Sequence, residues 1–229
     1  MREIIERLVS MSEEQWGDYA FSRDPICGKV PLPRQREMAR LAEACGRAEA
    51  QKLKAQFGTN DPSQLAEALE MKIVREDSFG TDNFITFAQF RLPNTIALFM
   101  GNVREAQRLI AERELGDLLQ HVEVEQLLVA HELYHWVEEA NPTLYTRSTK
   151  VELWGIGKFR YTSGLVCLGE LAAMAFAAEL LCLPYSPYVF DVLLPWGKDE
   201  AQARKLYNEI IRFRADNTQD TTISLETGE

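Results

Sequence analysis

The sequence predicts an α+β protein that is mostly helical, with a small three-stranded antiparallel sheet. Three observations predict it. Over residues 34–57, Met38, Leu41, Cys45 and Ala48 recur at three- and four-residue steps, the period of a helix with one apolar face. Residues 163–183 are almost wholly apolar and stop at Pro184. Between them, residues 71–100 turn to Ile, Val, Phe and Thr broken by turn sequences, the texture of short strands.

The elements follow in order. Residues 2–20 read as one or two short helices, with Ser12-Glu-Glu as a start signal in the middle, and three prolines make 24–33 a loop. The helix over 34–57 is closed by Gly58. Asp61-Pro62 is an N-cap with proline at the first helical position, Gln64 completes a capping box, and this helix ends near Leu69. Strands are expected over 71–75, 83–92 and 95–100, then a helix over 103–119. A second helix over 122–140 stops at Asn141-Pro142, and 142–162 is an irregular connection. The apolar run 163–183 approaches membrane length, but Glu170 and Glu179 interrupt it, so a buried core helix is the better reading. A last helix spans 199–214, and the polar tail 216–229 is expected to be disordered. These elements divide into an N-terminal helical segment (1–60) and a main domain (61–215).

The chain has 229 residues and is 46% hydrophobic, enough for a real core. Its net charge is 25 − 35 = −10, which argues against unassisted binding to nucleic-acid phosphates. No apolar run calls for a membrane span. Of the four cysteines no pair has Cys-x-x-Cys spacing; Cys45, Cys167 and Cys182 sit among apolar residues and read as small core residues. The opening residues read as a charged helix start and not a signal peptide, so a reducing, cytoplasmic location is expected.

One stretch states a chemistry. Residues 131–135 read His-Glu-Leu-Tyr-His, an HExxH motif that holds two of the three histidines. No Gly or Pro interrupts 122–140, so the motif lies in a helix, where positions i and i+4 share a face. His131 and His135 can then aim at one zinc ion, with Glu132 as the base that takes a proton from water. A match to five positions with two free also arises by chance in ordinary helices.

A catalytic zinc needs a third protein ligand. His121 lies ten residues before His131 and reads as a partly exposed helix-start residue. Glu139 lies about 12 Å along the axis from His131, too far for one ion. Glu170 lies in the most apolar helix, where an unpaired carboxylate would cost several kcal/mol, so it wants a cation. Glu179 is nine residues on and faces the opposite way. One of the two faces a site, and Glu170 is preferred; a buried arginine partner or a polar stripe would serve otherwise.

Three blocks together resemble the ImmA/IrrE family of zinc metallopeptidases. They are a helix-then-strands lead-in (65–74 and 94–100), Leu128-Val-Ala-His-Glu-Leu-Tyr-His-Trp, and the run from Glu170 through Phe176-Ala-Ala-Glu-Leu-Leu to Pro184. The resemblance covers about residues 62–190. It implies a zincin-like metallopeptidase domain over 61–215, with His131, His135 and Glu170 as zinc ligands and Glu132 as general base. It also implies a protein or peptide substrate, with a transcriptional repressor as the family's association. Three departures stand out. Met174 occupies the place four residues after the ligand glutamate where the family has Asn or Asp, so any partner orienting a ligand histidine must come from elsewhere. The third block also carries one extra residue before its proline, and the segments 103–119 and 142–162 are longer than the family pattern.

An oxyanion donor would come from Tyr145, Arg147, Tyr161 or Tyr185, and strand 94–100 would offer an edge to an extended substrate. The rival readings are a zinc-binding interaction domain without turnover, a di-iron bundle and a helical structural protein. The bundle would need a second Glu-x-x-His, which His121 cannot complete because Leu118 stands three residues before it.

Overall fold

The computed structural model describes residues 1–79 and 86–213. Helices α1 (Arg2–Val9) and α2 (Glu13–Ser22) part at Ser12. The Ser12 hydroxyl accepts from the Gln15 amide while the Gln15 side chain accepts from the Ser12 amide, a complete capping box. A 3-10 turn (Cys27–Lys29) leads into α3 (Leu32–Phe57), which ends at Gly58 with φ 68°, a conformation glycine adopts without strain. Helix α4 (Pro62–Ala68) is capped by Asp61, which accepts from the Ser63 and Gln64 amides. The Gln64 side chain turns instead to the Thr59 hydroxyl, so the expected second half of that box is absent.

The sheet corrects the sequence reading. Strands β1 (Lys72–Glu76), β2 (Ala88–Arg91) and β3 (Thr95–Phe99) lie in the order β1-β3-β2. β2 pairs antiparallel with β3, with Phe90 opposite Ile96, but β1 pairs parallel with β3, with Val74 opposite Ala97. The sheet is therefore mixed. Eleven residues separate β1 from β2, enough chain for β3 to pair between them, where a tight turn would have joined the two as neighbours. Residues 83–85 of the expected second strand lie outside the described residues. β3 is central, and Ile96, Ala97 and Leu98 are fully buried, which is why it reads as an unbroken apolar run. It offers no free edge, so the edge expected at 94–100 is absent; β1 and β2 are the outer strands.

Helix α5 (Met100–Glu112) leads to α6 (Val124–Ala140), which carries the motif. The expected irregular connection holds a short helix α7 (Tyr145–Ser148) and a two-stranded ribbon, β4 (Val151–Ile156) with β5 (Phe159–Ser163). The apolar helix is α8 (Val166–Leu181), and Cys182 ends it in a left-handed conformation, exposed and not in the core as expected. Sequence reading missed α9 (Val189–Trp196); α10 (Glu200–Ile210) is the expected last helix. The expected disordered tail 216–229 lies outside the described residues. No helix among the described residues is long and apolar enough to cross a membrane.

Helix α8 sits at the centre, between α3 and α6. Its buried residues Leu168, Ala172, Phe176 and Leu180 fill the space between them. The sheet and α4 pack on α6, so β2 comes to lie beside the motif. α3 belongs to the N-terminal segment of the sequence yet shares one hydrophobic core with α6 and α8.

Candidate metal centre

Helix α6 presents His131 and His135 on one face, and α8 brings Glu170 opposite them. The two histidine Nε2 atoms are 3.1 Å apart. Glu170 Oε2 lies 3.4 Å from His131 Nε2, and Oε1 lies 3.7 Å from His135 Nε2. All three ligand atoms fall within 4.8 Å of one another. A tetrahedral zinc ion with bonds of about 2.0–2.1 Å places its donors about 3.3 Å apart, so the cluster has the spacing and the donor set such an ion requires. The approach of α8 to α6 is close here: a side chain at Gly169, the neighbour of Glu170, would begin 3.2 Å from the Glu138 carboxylate.

Glu132 is buried, and its Oε2 accepts a 2.7 Å hydrogen bond from the Phe90 amide of β2. That bond fixes the carboxylate against the outer edge of the sheet. It also shows that the Phe90 amide points away from β3, toward the site. His131, Glu132, Glu170, Met174 and Asp191 line a cavity of about 330 Å³ between β2, α6, α8 and α9. On the other side, His135 and Glu170 open into a cleft of about 620 Å³ with Arg147, Lys150 and Val166.

The other candidates lie elsewhere. His121 is exposed in the turn before α6, 3.0 Å from Asp117. Glu139 pairs with Arg147 and Glu179 with Lys54, at 3.0 and 3.4 Å, so each has a structural fate. The Tyr185 hydroxyl donates to the Leu119 carbonyl, and Tyr161 stacks on Trp154 in the ribbon. Tyr145 stands in α7 with its hydroxyl buried. Of the four oxyanion candidates, Arg147 lines the cleft with His135 and Glu170.

Sequence reasoning missed two groups. One is the Phe90 amide, which no side-chain pattern announces. The other is Asp191 on α9, in the same cavity as His131 and Glu170, where its carboxylate accepts from the Tyr19 hydroxyl at 3.0 Å. Burial pushes the Asp191 carboxyl up to about 6, against the bond from Tyr19, which lowers it. Its signal was legible: a lone acid in the apolar run Tyr-Val-Phe-Asp-Val-Leu-Leu, the same signal that singled out Glu170. Met174 lines the cavity too and offers only a thioether there.

Without a metal the site holds a proton. Burial lowers the His131 pKa, but its hydrogen bond to Glu170 and that residue's charge outweigh burial and raise it to about 9. Burial raises Glu170, and the His131 bond and charge outweigh it in turn, to about 2. His135 is lowered, by burial and then by the His131 charge. His131 is raised above its ordinary 6.5, so its contribution to folding is complete below that pH and is lost as pH rises through about 9. Glu170 is depressed below its ordinary 4.5, so its contribution is present above 4.5 and is lost as pH falls toward 2. The pair therefore stabilises the metal-free fold most between pH 4.5 and 6.5. In urea titrations of chelator-treated protein, Glu170→Gln should lose most stability in that window and approach the parent as pH passes 9. A deficit constant across that range would refute the pairing.

No protein-family model matches the chain, and neither does any curated protein or solved structure.

Proposed function

We propose that this chain is a zinc-dependent peptidase that hydrolyses a peptide bond in a protein substrate, with the zincin-like organisation its ImmA/IrrE resemblance implies. The observation that carries the reading is the His131–His135–Glu170 cluster at zinc-ligand spacing, with Glu132 beside it. His131, His135 and Glu170 would hold the ion. When bound, zinc supplies a Lewis acid for the scissile carbonyl and lowers the pKa of water toward ~7.

The chain's own groups do the rest. Glu132 takes the proton from water and later delivers it to the leaving amine. The Phe90 amide holds one oxygen of that carboxylate, leaving the other free to work. Backbone groups alternate along an antiparallel strand, so the Ala88 amide and carbonyl and the Phe90 carbonyl face outward, while the Phe90 amide is taken by Glu132. The β2 edge can thus add an extended substrate as a further strand. Arg147, which lines the cleft, would donate to the carbonyl oxygen by turning from its ion pair with Glu139.

By resemblance, a transcriptional repressor is the proposed substrate and the cytoplasm the proposed location. Direct binding to nucleic acid is not proposed for a chain of charge −10. Met174, in place of a polar orienting residue, favours the second reading, a zinc-binding interaction domain with little or no turnover.

Metal analysis of the purified protein tests the centre. The expected result is one zinc per chain, with Glu170→Ala lowering affinity at least about tenfold. Unchanged occupancy in that variant would remove Glu170 from the site, and about two irons per chain would favour a di-iron bundle.

A further inference from the structure

The ribbon formed by β4 and β5 carries an apolar face that nothing among the described residues covers. Ile156 pairs across the strands with Phe159, and Trp154 with Tyr161, so the four side chains share one face. They are 72%, 81%, 54% and 55% exposed, and the Trp154 and Tyr161 rings stack 5.7 Å apart. The opposite face carries Gly155 and the Arg160–Glu152 ion pair. A two-stranded ribbon is at best marginally stable alone in water, and a contiguous exposed apolar patch marks a contact surface.

Three features choose the occupant. The ribbon rises from the wall of the candidate cleft: Lys150 and Gly164, at its two feet, line that cleft with His135 and Glu170. Its charge opposes that of the body, since Lys150, Lys158 and Arg160 against Glu152 give 3 − 1 = +2 in a chain of −10. The apolar side chains run along a strand face and are not confined to the tip, as an extended chain requires. A second copy is disfavoured, because two such ribbons would bring like charge together and the face offers on the order of 500 Å², short of the ~800 Å² per partner of a standard interface.

We propose that this ribbon is the docking surface for the substrate polypeptide. It holds an extended stretch in which apolar and acidic side chains are mixed and leads the adjoining segment into the cleft. The destination of that segment rests on the peptidase reading; the docking itself does not.

The probe is a fluorescent-labelled disordered peptide of Leu, Phe, Asp, Glu and Gly, with a counterpart carrying Lys at every acidic position. Both are titrated against the full chain with Glu132→Gln, so that the peptide persists. The acidic peptide should bind at least about tenfold tighter than to the same chain with Trp154→Ser and Phe159→Ser, and tighter than the lysine counterpart. Its binding should shift tryptophan emission to the blue, and chelation of metal should leave the affinity unchanged. Both substituted residues are exposed, so the urea midpoint should hold; if the pair unfolds the chain, Phe159→Ser alone gives the same comparison. Equal binding by parent and ribbon variant would overturn the proposal. So would preference for the lysine peptide, ribbon-dependent binding to phosphatidylcholine–phosphatidylglycerol vesicles, or ribbon-dependent dimerisation. Ribbon-dependent binding by a protein that holds no zinc would sink the peptidase reading alone.

Discussion

Glu132→Gln is expected to lower peptide hydrolysis about 10²–10⁴-fold while zinc binding stays at the parent level. The substitution keeps size and shape, and the amide oxygen can still accept the Phe90 amide proton that the carboxylate accepts at 2.7 Å. What it removes is the capacity to take a proton from water. The loss should therefore fall on kcat, with KM nearly constant, because the group acts in the transition state and not in substrate binding. Metal analysis separates this from collapse of the site, since His131, His135 and Glu170 are untouched. A variant that retained full hydrolysis would take Glu132 out of the chemistry. A variant that regulated its partner as well as the parent, with zinc intact, would decide for the interaction domain.

Gly46→Ala is expected to be the most damaging small change in the fold. Gly46 lies in the middle of α3 where that helix crosses α8, and an added Cβ would stand 2.1 Å from the carbonyl oxygen of Ala172. The contact is with backbone, so no side chain can rotate aside; the helices must separate. Alanine is the better helix former by about 1 kcal/mol, and overpacking a tight core costs about 1–3 kcal/mol or more. The clash wins, because separating α3 from α8 also loosens Leu168, Ala172 and Phe176 across the interface. We expect a net loss of about 2 kcal/mol, read as a lower urea midpoint, together with weaker zinc binding, as Glu170 lies on the helix that moves. A variant as stable as the parent would mean that α3 and α8 do not approach as closely as described.

Much of the architecture was legible because its causes are local. The helical period over 34–57, the Asp61-Pro62 start and the stop at Gly58 are statements about neighbouring residues, and the structure has each of them. The three strands between the early and late helices were placed correctly, but the direction of β1 was not. Strand pairing depends on where an intervening link lands, and composition does not encode that. The ribbon at 151–163 was read as irregular because its apolar residues face solvent, the reverse of the pattern by which strands are usually recognised. The placement of Glu179 followed the same logic: its acid character was visible, while Lys54, which pairs with it, stands on another helix.

The sequence alone determined the long helices, the ends at Ser12, Gly58 and Asp61 and the pairing of two imidazoles on one helical face, since helical geometry places residues four apart side by side. Only the tertiary structure decided that Glu170 meets those imidazoles, that Asp191 and the Phe90 amide join them, and that the central strand is β3. Each of these is a contact between segments far apart in the chain. Such contacts are selected by how buried surfaces fit together, and no stretch of sequence specifies that fit by itself.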